Sequence, residues 1–208
     1  MKNEKEHTAL NQQKWDSWAK SFDRKIYDFF RFMQKRTISL TALKEKDYFL
    51  DIGCGTGWAV RHASRIIKEN GKAFGIDLSP KMIEIAKANS PNNQNVFFFQ
   101  ANAENLPFED NFFEFIICTN SFHHYLDPLK VLDEVFRVLK KEGEIYILDV
   151  TTDGFLAKML DKGFQKTEQE HVKYYSTQEF KDFYAKANLN YIASKSILPF
   201  VKVHIAKK

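Results

Sequence analysis

The stretch Tyr48-Phe-Leu-Asp-Ile-Gly-Cys-Gly-Thr-Gly57 is the most informative in the sequence. An apolar run ends in Asp51, and Gly53, Gly55 and Gly57 alternate before a helical pattern opens at Trp58. Glycines let a backbone bend sharply and approach a ligand without a Cβ in the way. Free N–H groups at the helix start favour polar or anionic ligand groups. A strand, a glycine loop and a helix in that order are the context of a nucleotide-type site. Cys54 reads as a small side chain filling the crowded turn.

A second acid, Asp77, closes the next apolar run, Ala73–Ile76, about 20 residues on, where a carboxylate can accept both ribose hydroxyls of an adenosine. A dinucleotide loop needs glycine where this chain has Trp58, so an adenosine without a pyrophosphate fits better.

Outward from the loop, short apolar runs alternate with helical patterns. Val96–Phe99, Phe112–Cys118 and Ile145–Val150 read as further strands, nearly continuous in apolar residues as parallel strands covered on both faces require. Trp58–Asn70, Pro80–Asn89 and Pro128–Lys140 read as helices, with Ser79-Pro80 and Asp127-Pro128 as start signals. Ser176 and Glu179 have capping-box spacing before another helix. Tyr191–Leu198 and Phe200–Ala206 lie too close for a crossover and must pair antiparallel. The expectation is an α/β, Rossmann-like, doubly wound sheet of seven strands, mostly parallel with an antiparallel C-terminal strand.

FLDIGCGTG resembles the first motif of the class I S-adenosylmethionine-dependent methyltransferases, in the broad group called type 11. GIDLSPKMIEIAK is similar to the second, and the segment from Ala101 to Ile147 to the third through fifth. The resemblance implies S-adenosylmethionine as cofactor. It implies that Asp51, Gly53, Cys54 and Gly55 surround the methionine end, and that Asp77 binds the ribose. Leu78 and Met82 would pack near the adenine, Asn102, Ala103 and Glu104 would flank its amino group, and Asn120 would line the pocket. Relatives carry Asp where this chain has Asn102, which costs at most about 1 kcal/mol of charge assistance.

Other residues bear on the acceptor. Trp15, Trp18, Ala19, Phe22, Ile26, Phe29 and Phe30 recur at helical spacing, so residues 1–45 read as a helical lid over one domain spanning 1–208. Residues 151–175 read as an insertion over the acceptor site. Trp18, Tyr27, His123 and Tyr174 are substrate-binding candidates. His123 and His124 follow the fourth strand, where a general base would stand. Methyl transfer often needs little beyond positioning, so the pair reads first as loop histidines packed on the core.

Composition narrows the rest. The net charge of +4 is scattered rather than striped, which argues against specific nucleic-acid binding. Two cysteines make no disulfide framework, no metal-ligand spacing occurs, and the polar N-terminus and lack of a long apolar run point to a cytoplasmic protein off the membrane. A small-molecule acceptor is expected, its identity and the oligomeric state being unreadable. A nicotinamide oxidoreductase is disfavoured by Trp58 and the terminal hairpin. A ligand sensor that kept the fold without turnover stays open.

Overall fold

The computed structural model describes residues 4–19, 27–167 and 171–208. Seven strands form one sheet: β1 (Tyr48–Ile52), β2 (Lys72–Asp77), β3 (Val96–Gln100), β4 (Phe113–Thr119), β5 (Leu139–Val150), β6 (Asn190–Leu198) and β7 (Val201–Lys207). Their order is β3-β2-β1-β4-β5-β7-β6, with β7 antiparallel to both neighbours and the first five strands parallel. The expected architecture is the observed one. Strand order reverses between β1 and β4, and a crevice opens there at the carboxyl ends, where open α/β sheets bind ligands.

Helices cover both faces: α1 (Glu4–Trp18), α2 (Tyr27–Ile38), α3 (Trp58–Ile67), α4 (Pro80–Ala88), α5 (Pro128–Val138), α6 (Phe155–Thr167) and α7 (Thr177–Lys186). Side chains alternate along each strand, so two cores form. Leu50 and Ile52 pack with Val131, Leu132 and Val135 of α5 and Phe180 and Tyr184 of α7. Phe49 packs on the other face with Val60, Ala63 and Ile67 of α3 and Met33 and Ile38 of α2. This double coverage is why the strands read as unbroken apolar runs.

The caps are local and form as the sequence requires. Ser79 Oγ accepts from Met82 N–H, Asp127 from Lys130 N–H, and Ser176 with Glu179 completes a reciprocal capping box. Two elements differ from the sequence expectation. The N-terminal helical region starts at Glu4, well before the aromatic stripe that opens at Trp15, and α6 occupies most of the expected insertion. Phe22 and Ile26 of the stripe lie outside the described residues, as does the Tyr27 side chain.

Candidate functional site

The glycine loop forms the floor of the crevice. Gly53, Gly55 and Gly57 all have positive φ (75°, 52° and 79°), the region that disfavours side chains. Gly53 and Cys54 N–H both donate to Ile76 O at 2.9 Å, locking the loop to β2. A Cβ on Gly53 would collide with the Ser121 side chain, so the loop can approach the β4 end only as glycine.

Asp77 ends β2 beside this loop. Its Oδ2 accepts from Gly55 N–H and its Oδ1 from Ser79 N–H, both at 2.9 Å. Each oxygen keeps a lone pair for a further donor. Burial pushes the carboxyl up to about 6, opposed by those backbone donors.

Asp51 is fully buried on the α3 face under the loop, and neither of its oxygens has a hydrogen-bond partner among the described residues. Burial, and then the Asp77 charge, push its carboxyl well above the usual range. An orphaned buried carboxylate is costly and asks for a positive partner.

Above the floor lies a cavity of about 410 Å3. Of the sequence-derived cofactor residues, Gly53, Cys54, Gly55, Asp77, Leu78, Met82, Asn102, Ala103, Glu104 and Asn120 line it, whereas Asp51 stays beneath. Asn102 Oδ1 accepts from Glu104 N–H at 3.0 Å, a local turn that fixes the Asn102–Glu104 edge. Glu134 and Arg137 of α5 hold the following loop. Glu134 accepts from Leu106 N–H at 2.7 Å, and Arg137 donates to Leu106 O and Phe108 O at 3.0 and 2.7 Å. Cys54 is buried, its thiol pushed well above the usual range.

The far wall is aromatic: Trp15 and Trp18 of α1, Phe29 and Phe30 of α2, and Tyr174. His123 and His124, on a 3-10 turn (Phe122–His124), line the same cavity. His123 Nδ1 lies 2.9 Å from both oxygens of Asp149, the penultimate residue of β5. Sequence reasoning missed Asp149, although an acid within one residue of the end of the apolar strand Ile145–Val150 resembles the signal that marked Asp77. His124 packs edge-on to Trp15, and its carbonyl accepts from the buried His7. Burial holds the His124 ring well below the usual histidine range. Segment 171–175 is pinned over this corner: Val172 N–H donates to His123 O, and His171 pairs with Asp161 of α6 at 2.8 Å.

Among the described residues no cluster of three or more His, Cys, Asp or Glu side chains is placed to hold a metal, and no helix is long and apolar enough to cross a membrane.

A doubly wound sheet whose glycine loop and strand-end acid open onto one cavity defines a Rossmann-like nucleotide-type binding protein. Comparison with known proteins narrows that class. The family profile described as "Methyltransferase domain" matches residues 50–147. A Wigglesworthia glossinidia protein named ubiquinone/menaquinone biosynthesis C-methyltransferase is 28% identical over 76% of this chain and 61% of its own length. A Lactococcus lactis demethylmenaquinone methyltransferase is 32% identical over 71% and 62%. The chain thus spans about three fifths of the length of these curated relatives. A SAM-dependent methyltransferase structure from Aquifex aeolicus shares the fold with a TM-score of 0.74 at 24% identity, over 92% of this chain and 97% of that one. These likenesses support a class I S-adenosylmethionine-dependent methyltransferase, with S-adenosylmethionine as the cofactor.

Proposed function

We propose that this chain transfers a methyl group from S-adenosylmethionine to a small-molecule acceptor held in the same cavity. The observation that carries the reading is the opening of Gly53–Gly55, Asp77 and the Asn102–Glu104 edge onto the cavity that also holds the aromatic wall and His123. Its volume is in the range of drug-sized ligand sites.

The residues present fit the cofactor. Asp77 has spare acceptor capacity for the ribose hydroxyls. The positive-φ glycines leave a cradle for the methionine end, and the orphaned Asp51 beneath it supplies a field for a cationic group. Leu78 and Met82 offer an apolar slot for the adenine, Asn102, Ala103 and Glu104 flank its amino group, and Asn120 closes the β4 side. When bound, the cofactor supplies a methyl group on positively charged sulfur, open to in-line attack. The protein's part is to align an acceptor and exclude water, worth on the order of 7–11 kcal/mol when alignment is good. Of the described residues, 4–19 and 27–45 act as a lid over one domain, with Trp18 lining the cavity, and 151–167 with 171–175 as the acceptor-site cover, with Tyr174 lining the cavity.

The aromatic wall favours a planar acceptor, and the names of the two quinone-pathway relatives support a quinol. The test is label transfer from S-adenosylmethionine to 1,4-naphthoquinol, a panel of unrelated metabolites, and RNA in parallel. Labelled small molecule without labelled RNA is the expected result. Label in RNA alone would contradict the acceptor class.

A further inference from the structure

We propose that His123 is the proton acceptor of the transfer step, oriented by Asp149, and that the acceptor molecule presents an acidic hydroxyl, as a phenol, quinol or enol does. This rests on the methyl-transfer reading above.

Asp149 is 2% exposed and takes hydrogen bonds from the His123 ring at 2.9 Å, from the His123 N–H at 3.1 Å and from the Val150 N–H at 2.8 Å. A carboxylate facing Nδ1 with both oxygens makes that nitrogen the donor, so Nε2 carries the lone pair. Nε2 has no hydrogen-bond partner among the described residues, and His123 lines the cavity, so Nε2 is the nitrogen left for an occupant. The backbone bond to Asp149 already anchors the turn. A ring added to that anchor, with its second nitrogen left to the cavity, is more than the turn requires.

The two adjacent histidines divide the work. His124, held neutral by burial against Trp15, adds no competing positive charge beside His123. The titratable and charged groups facing His123 are Asp149 from β5, His124 on its own turn, and His171 and Tyr174 from the covering segment, with Asp161 of α6 behind His171. His7 and Lys14 of α1 stand on the far side of His124. Asp149 and Asp161 are the acidic side chains among them.

The step balances. The hydroxyl O–H bond breaks and its proton goes to Nε2. The resulting oxyanion, or the ring carbon conjugated with it, bonds to the methyl carbon as the carbon–sulfur bond breaks and its electron pair passes to sulfur. Nδ1–H stays on Asp149, and the imidazolium later yields its proton to solvent. Where carbon is the nucleophile, that carbon's own hydrogen leaves as a second proton.

The full chain is first saturated with S-adenosylhomocysteine, and 4-nitrocatechol is titrated in as a probe whose absorbance reports ionisation. The bound probe should ionise about one pH unit or more below the free probe, and His123→Gln should abolish that shift. With labelled S-adenosylmethionine and 1,4-naphthoquinol, His123→Gln should lower kcat about 10²- to 10⁴-fold. Homocysteine-product affinity by calorimetry should stay within about threefold. Asp149→Asn, the shape-conserving second variant, should move the acid limb of kcat/KM to lower pH, which a merely structural pin would not do. Transfer retained within about tenfold in His123→Gln, or probe ionisation unchanged by it, overturns the proposal. A wild-type complex that binds no 4-nitrocatechol overturns the hydroxyl class. Failure of the wild type to bind S-adenosylhomocysteine at all would instead overturn the cofactor reading beneath it.

Discussion

Two carboxylates, Asp51 and Asp77, carry opposite burdens in stability and binding. Asp77 is pushed up to about 6 by burial, so the ligand-free fold holds its proton more tightly than the unfolded chain does. That contribution to stability is complete below the unfolded value near 4 and is lost as pH rises through about 6. Binding runs the other way, since ribose hydroxyls need the ionised acceptor. S-adenosylmethionine affinity should tighten about tenfold between pH 5 and 7.5, measured by calorimetry; a flat profile would remove Asp77 from the ribose. Asp51 is also raised, without partners to offset its burial. Asp51→Asn should therefore raise the ligand-free Tm at pH 7.5 by about 2–4 °C while weakening cofactor binding, a function-for-stability exchange expected at binding sites. A lower Tm in the variant would contradict it.

At the scale of elements, α5 acts on the Asn102–Glu104 edge without lining the cavity. Arg137 and Glu134 grip the loop after Asn102–Glu104 through Leu106 and Phe108. Arg137→Ala should weaken S-adenosylmethionine binding about three- to tenfold and cost about 1–2 kcal/mol of stability, discounted for its partial exposure; denaturant unfolding and calorimetry read the two effects. What was legible in the sequence followed from locality. Strands buried on both faces read as apolar runs, and Ser79, Asp127 and Ser176 cap within three residues of themselves. The part of α1 before Trp15 hid because its sequence, EKEHTALNQQK, is polar, and it is held by long-range bonds such as His7 to His124 O. α6 hid because Phe155 and Met159 face solvent and blur any apolar stripe. The His123–Asp149 pair spans 26 residues and two strand ends, so only the fold brings it together.

Across the whole molecule, buried histidines set the acid limit. His204 of β7 stacks on Phe180 at 3.9 Å, and neither ring nitrogen has a hydrogen-bond partner among the described residues. Burial lowers its pKa to about 4, so its contribution is complete above the unfolded value near 6.5 and is lost as pH falls through 6.5 toward 4. Up to about 3 kcal/mol should disappear over that window. His204→Phe should flatten the loss, and an unchanged slope in pH-dependent unfolding would place the acid sensitivity elsewhere.

On the proposed function, the crevice at the carboxyl ends of β1 and β2 is an adenosine site anchored by Asp77. Calorimetric titration of S-adenosylmethionine and its demethylated product into the wild type and Asp77→Ala tests it most directly. The substitution should weaken binding by about 2–4 kcal/mol, roughly 30- to 1,000-fold, with the fold intact by circular dichroism. Affinity retained within about threefold would mean that the adenosine lies elsewhere.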